Sequence, residues 1–302
     1  MQNSSKKKYF IWFIQGGLGK NVAATALVKS IKKSYPDREL IIVCSWPQVF
    51  LNNPNIDRVY NANNIPHFYE DYIEGKDIIV CNQEPYNQTG HVTKQQHVLK
   101  SWCELLGIEY TNQQPQLFYN YAEQKKFQHQ PSPKPVLLIH TGGGPTDDEV
   151  EYNWTRDIPM EFAASIVDKY SKTHNIIQVT RPKGYKLQHS SVKIIDTPMA
   201  NLNLFSLLQN SNKRVLIDSC LQHAAAAMNL PSTVLWIGTS PTLFGYSQHQ
   251  NIVAGLNKRA NQLIDSALFD YQFAQNEYQC PYMEVNEIFL YSIIITYIMY
   301  HN

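Results

Sequence analysis

Apolar residues along this chain fall into short blocks separated by polar turns. Tyr9–Ile14, Leu40–Cys44 and Asp77–Cys81 are compact apolar runs, which predict strands, the first of them buried. Between the first two, Val22–Ser34 carries a helical repeat. Val22, Ala26, Leu27 and Ile31 share a broad face and Lys29, Lys32 and Lys33 lie outside it. Val98–Leu106 predicts a helix closed by Gly107. The rhythm restarts in the second half, where Val136–His140, Asn175–Val179, Val192–Ile195, Arg214–Ile217 and Ser232–Ile237 read as strands. Met160–Tyr170, an Ala-rich segment through Ala224–Ala227 and a terminal stretch Val285–Tyr300 read as helices. Strands alternating with helices predict parallel, doubly wound α/β sheets.

The segment Tyr121–Pro135 interrupts this pattern with three prolines between Pro131 and Pro135, and reads as an interdomain linker. The expected organisation is an N-terminal domain over 1–130, a second over 131–284 and a C-terminal helix over 285–302 that packs back toward the first.

Length and composition fit this division. A chain of 302 residues with 43% hydrophobic and 17% charged residues is long enough for two globular domains. A formal net charge of +1 gives no global pull toward nucleic acid or anionic lipid. Lys6–Lys8, Lys94 and Lys100 leave room for a local basic face. Five dispersed cysteines form neither a disulfide framework nor a zinc motif, so a reducing cytoplasm is expected. Lys6-Lys7-Lys8 before Tyr9–Ile14 has a signal-peptide look, but the apolar run ends in Gly16-Gly17 without a cleavage site. Ile288–Tyr300 is well short of the ~20 residues that span a bilayer. No transmembrane segment is expected.

The densest chemistry lies in Asp218-Ser219-Cys220-Leu221-Gln222-His223 and the Ala run behind it. Pro231, Val234-Leu235-Trp236, Gly238-Thr239-Ser240 and Pro241 follow. A polar turn opening a helix offers unpaired N–H groups and a positive dipole end, which suit a phosphate. An ordinary helix–strand–loop of an α/β core has the same outline. Near the N-terminus, Gly16-Gly17-Leu18-Gly19-Lys20-Asn21 follows the first strand. That loop resembles a deviant P-loop, but Gln15 stands where such loops carry Lys and Asn21 replaces the metal-binding hydroxyl.

Together, in this order, the two motifs resemble the family 9 glycosyltransferases, whose best-known members are bacterial heptosyltransferases. The resemblance spans most of the chain. It implies a GT-B fold of two Rossmann-like domains facing across a cleft, with a nucleotide-diphosphate sugar held mainly by the C-terminal half. It also implies no permanently bound cofactor and no metal. The resemblance places an Asp, thought to activate the acceptor hydroxyl, where this chain has Lys20. A lysine cannot simply inherit that role. It suits the developing charge of a leaving phosphate, and the base is then sought among Glu84 and His91 on the loops after Asp77–Cys81.

Further donor contacts are expected from Gly17 and Gly19, from Thr141-Gly142-Gly143-Gly144, and from Arg156 in Trp154-Thr155-Arg156-Asp157. Arg156 is either a diphosphate clamp or a partner of Asp157 or Glu161. Thr180-Arg181 lie where the family places nucleoside contacts. Asp218, Ser219, His223, Gly238, Thr239 and Ser240 complete the donor set, with Asp218 a candidate helix cap. Asp147-Asp148-Glu149, Glu70 and Asp71 read as solvated. His97 reads as structural or acceptor-facing.

The expected activity is transfer of a hexosyl, pentosyl or heptosyl group to a hydroxyl acceptor. The acceptor is a saccharide of the lipopolysaccharide type or a modified DNA base of a phage. A P-loop-like ATPase, a nucleotide-sugar-binding protein without transferase activity and an epimerase are the alternatives.

Overall fold

The computed structural model describes residues 6–93, 95–127, 132–143, 156–196, 201–254 and 289. The expected helix Val285–Tyr300, apart from Phe289, lies outside the described residues, as do Lys94, Gly144, Asp147–Glu149, Trp154 and Thr155. The chain divides into two compact units, Met1–Ala122 and Glu123–Asn302.

The first unit is built on strands β1 (Lys8–Ile14), β2 (Glu39–Cys44), β3 (Arg58–Asn61) and β4 (Asp77–Cys81) in the order β3-β2-β1-β4. All pairings are parallel, with Ile11 opposite Ile41 and Val80. The helical run between β1 and β2 is α1 (Leu18–Ala24), a 3-10 turn and α2 (Val28–Ser34). It begins four residues before the expected Val22, because the glycine loop closes within three residues of the strand. Short helices α3 (Phe68–Tyr72) and α4 (Thr89–Val92) follow, then α5 (Val98–Leu106). Gly107 caps α5 in the left-handed region at φ 64°, as expected. Trp12 of β1 meets Trp102 of α5 edge-on at 5.5 Å, fixing that helix over the sheet.

Helix α6 (Tyr121–Lys126) occupies the start of the segment read as a linker and spans the division between the units. The second unit contains β5 (Val136–His140), α7 (Met160–Tyr170), β6 (Asn175–Thr180), β7 (Val192–Asp196), α8 (Asn201–Gln209) and β8 (Lys213–Ile217). It continues with α9 (Cys220–Ala227), β9 (Thr233–Trp236), α10 (Pro241–Phe244) and β10 (Gln250–Val253). Its sheet runs β10-β9-β8-β5-β6-β7, all parallel. Read from β7, this is the doubly wound order of a dinucleotide-binding sheet. Leu137, Ile139, Val215 and Ile217 form its core with Phe162 and Ile166 of α7, and Phe289 packs on Phe162 at 5.3 Å.

In each unit, successive connections leave the first strand in opposite directions. The crevice this opens lies between β1 and β4 in the first unit and between β5 and β8 in the second. Open α/β sheets bind ligands beyond the strand ends at such points. Among the described residues, no helix is long and apolar enough to cross a membrane.

Candidate functional site

At the first switch point, the loop after β1 faces the loop after β4. Gly16 has φ +105°, which glycine tolerates and other residues rarely adopt. The Lys20 side chain folds back over it, with Cδ 3.3 Å from where a Gly16 Cβ would stand. Asn21 is fully buried, and its Nδ2 donates to the Gly17 and Gly16 carbonyls at 3.0 and 3.3 Å. The position at which a P-loop presents a hydroxyl to metal here ties the loop to itself. Gly17 is the cap residue of α1 and Gly19 lies inside that helix.

Lys20 Nζ pairs with Glu84 Oε2 across the switch point. The ammonium also lies 5.3 Å from the Tyr86 ring centroid and 5.9 Å from that of Trp102. Glu84 Oε1 is buried with no hydrogen-bond partner among the described residues. Lys20 and Glu84 both line a pocket of about 310 Å³, together with Phe13, Gln15, Asn82, Gln83 and Trp102. The sequence named Lys20 and Glu84 separately, and the structure brings them together.

His91, the other candidate base, is not on the pocket wall. It has no exposed surface, stacks on Tyr86 at 5.2 Å and contacts the Gln96 backbone. Burial lowers its pKa, with the Gln96 backbone and, to a lesser extent, Glu84 pulling part of the way back. A ring with no exposed surface cannot take a proton directly from a substrate hydroxyl, so the structure assigns His91 to the scaffold. His97 caps α5, accepting from the Leu99 N–H at 3.2 Å.

At the second switch point, Ser219 Oγ lies 2.8 Å from His140 Nδ1. His140 ends β5 and is 4% exposed. Burial holds its pKa down to about 4 against the pull of the Gly142 backbone, so the ring is neutral. Ser219, not Asp218, is the cap residue of α9, and its hydroxyl does not cap the helix. The expected capping by Asp218 is corrected accordingly. Asp218 is buried beside the Thr239 hydroxyl and the Arg156 charge. Burial raises its pKa, and these two neighbours partly offset the rise.

Several expected donor contacts are held by the scaffold instead. Thr141 bonds Val179 O through its backbone N–H, accepts from Ile158 N, and its hydroxyl accepts from Gln178 Nε2 at 2.8 Å. Arg181 grips Asp157 with both ends of its guanidinium, at 3.0 and 2.6 Å, and donates to the Gly143 carbonyl at 2.7 Å. It locks the glycine loop. Asp157, raised in pKa by burial and drawn down chiefly by Arg181, also accepts from Gly143 N. Arg181 holds Asp157 by direct hydrogen bonds, and the Arg156 charge acts on Asp157 as well. Arg156 stays half-buried near Asp218.

Gly142 packs closely, since a Cβ there would stand 3.2 Å from Arg181 Nη1 and 3.4 Å from Thr180 Oγ1. Gly143 faces Ser219, whose Cβ is 3.5 Å from the corresponding position. Thr180 is buried at the end of β6. His223 is 6% exposed, and its Nδ1 meets the Tyr246 hydroxyl at 2.8 Å. Gly238 and Thr239 are buried after β9, and Ser240 caps α10 by accepting from Thr242 N. Sequence reasoning missed His140 and Asp157. His140 was within reach, because it ends an apolar strand directly before a glycine loop.

No protein-family model matches the sequence, and no curated protein does. Solved structures do match. A family 9 glycosyl transferase from Veillonella parvula superposes with a TM-score of 0.66 at 13% identity, over 98% of this chain and 97% of that one. The iron-containing dodecameric heptosyltransferase TibC of enterotoxigenic E. coli, in complex with ADP-D-β-D-heptose, gives 0.62 at 14% identity, over 96% and 73%. E. coli ADP-heptose LPS heptosyltransferase II gives 0.51 at 15% identity, over 82% and 91%. At such identities the likeness is one of fold. The chain has the GT-B fold of the family 9 glycosyltransferases and heptosyltransferases that its motifs resemble.

Proposed function

We propose that this protein is a glycosyltransferase that moves a sugar from a nucleotide-diphosphate sugar to a hydroxyl acceptor. The observation that carries the reading is the second switch point. There Ser219, at the first turn of α9, and Gly143 face each other, with Arg156 close by. A half-exposed hydroxyl, helix N–H groups and a guanidinium are what a diphosphate needs. In the first unit, the part-exposed Glu84 carboxylate, which lines the pocket and is held by Lys20, receives the proton of the acceptor hydroxyl. The solved heptosyltransferases make ADP-heptose the first donor to try.

The test is a thermal-shift and donor-hydrolysis screen of ADP-heptose and of ADP-, UDP- and GDP-hexoses, with ATP alongside. A ligand that binds only the native state raises its apparent stability. A shift with at least one nucleotide-sugar, and slow release of nucleoside diphosphate, is the expected result. A shift and hydrolysis with ATP alone would replace the reading with an ATPase.

A further inference from the structure

The pocket at the first switch point has a wall whose charges cancel. Among the described residues, Lys20 and Glu84 are its charged groups, and they pair with each other. Lys20 is further enclosed by the Tyr86 and Trp102 rings, and its side chain is 10% exposed against 38% for Glu84. An anion entering the pocket therefore meets the carboxylate before the ammonium. The Glu84 carboxylate, part-exposed on the pocket wall, repels an anionic oxygen and attracts a hydroxyl hydrogen.

The rest of the wall is neutral among the described residues. Phe13 and Trp102 supply apolar surface, and Gln15, Asn82 and Gln83 supply amides. Amides both donate and accept, as sugar hydroxyls do, whereas a carboxylate or phosphate only accepts. A volume of about 310 Å³ is at the small end of ligand pockets, enough for one small ring.

From this we infer that the acceptor unit seated in this pocket is an uncharged, hydroxyl-rich sugar, and that the Lys20–Glu84 pair excludes acidic and phosphorylated sugars. The inference rests on the transferase reading and narrows its substrate class.

Saturation-transfer NMR on the full chain tests it. The probes are methyl glucoside, galactoside and mannoside, the three corresponding methyl uronides, and glucose 6-phosphate. In at least one pair the neutral sugar should bind about tenfold more tightly than its uronide, the scale of one unfavourable charge contact. Glu84→Gln removes the repelling charge and leaves Lys20 unneutralised, so it should narrow or reverse that preference. Lys20→Met should keep or sharpen it. Circular dichroism on both variants verifies folding.

Uronides or the phosphate binding wild type as well as neutral sugars would overturn the inference, as would an unchanged preference in folded Glu84→Gln. Donor-induced thermal shifts on the same samples separate the two readings. A donor shift without neutral-sugar binding removes this inference alone, while loss of both removes the transferase reading too.

Discussion

Ser219 Oγ and His140 Nδ1, 2.8 Å apart, join the loop after β8 to the end of β5 across the second switch point. Burial keeps His140 neutral, so only one of its ring nitrogens carries a proton. A phosphate oxygen accepts but never donates. For Ser219 to donate to a diphosphate, His140 must donate to Ser219 from Nδ1, and His140 thereby orients the serine. His140→Leu and Ser219→Val should each weaken ADP binding about tenfold in calorimetry, the scale of one hydrogen bond to a charged group. The double variant should be no worse than the worse single one, because both remove the same contact. Additive losses would mean that the two residues act independently.

In the first unit the expected outcome is a split between the partners of the ion pair. Glu84→Gln should cut turnover by about 10²–10⁴, the usual contribution of a general base, with little change in donor affinity. Lys20→Arg should keep part of the activity and Lys20→Ala should lose most of it, because the carboxylate would then swing free of its orienting partner. Lys20→Asp should not rescue turnover, since it sets a second carboxylate beside Glu84. Normal turnover in Lys20→Ala would remove any role for the pair.

Much of this fold was legible because most of its strands are compact apolar runs, and β1, β2, β5, β8 and β9 are buried on both faces. Asp77–Cys81, Val136–His140 and Met160–Tyr170 match their expected bounds. The elements missed have weak patterns. β3, Arg58–Asn61, is four residues long with no fully buried position. β10, Gln250–Val253, is an edge strand among the described residues and is half-exposed. α8 lacks a clear apolar stripe, although Leu204, Phe205 and Leu208 are buried. The site was legible as two loops but not as pairs. Lys20 and Glu84 lie 64 positions apart, and His140 and Ser219 lie 79 apart. Only the order of strands in the sheets brings those loops together, and no local pattern encodes it.

Buried histidines, His140 and His249 above all, predict an acid-sensitive fold. His140 and His249 both have pKa values held down to about 4, chiefly by burial, against about 6.5 in the unfolded chain. A histidine depressed in the folded state stabilises fully above its unfolded pKa, and this is lost as pH falls toward the folded value. Stability should therefore decline between about pH 6.5 and pH 4, by on the order of 3 kcal/mol per histidine. Asp157 and Asp218, raised by burial, act in the opposite sense at the acid end. Urea titrations at pH 7.5, 6 and 5 measure the slope. His249→Leu should flatten it, and a slope unchanged in that variant would show that His249 does not set it.

Arg181 and Asp157 distinguish a scaffold from a ligand contact. Their side chains are 5% and 14% exposed, and the forked pair carries the Gly143 carbonyl as a third partner. Removing one member of a buried pair strands the other, at a cost of about 3–5 kcal/mol. Arg181→Met should therefore lower the urea midpoint sharply. The double variant Arg181→Met/Asp157→Leu should recover much of the loss, because no charge is then left unpaired. Donor affinity in the refolded double variant decides the role. If Arg181 only fixes the loop, ADP binding should fall modestly, through a looser Gly143 and Ser219. If Arg181 itself grips the diphosphate, Arg181→Met should lose binding while keeping wild-type stability, and the assignment of Arg181 to the scaffold would fall.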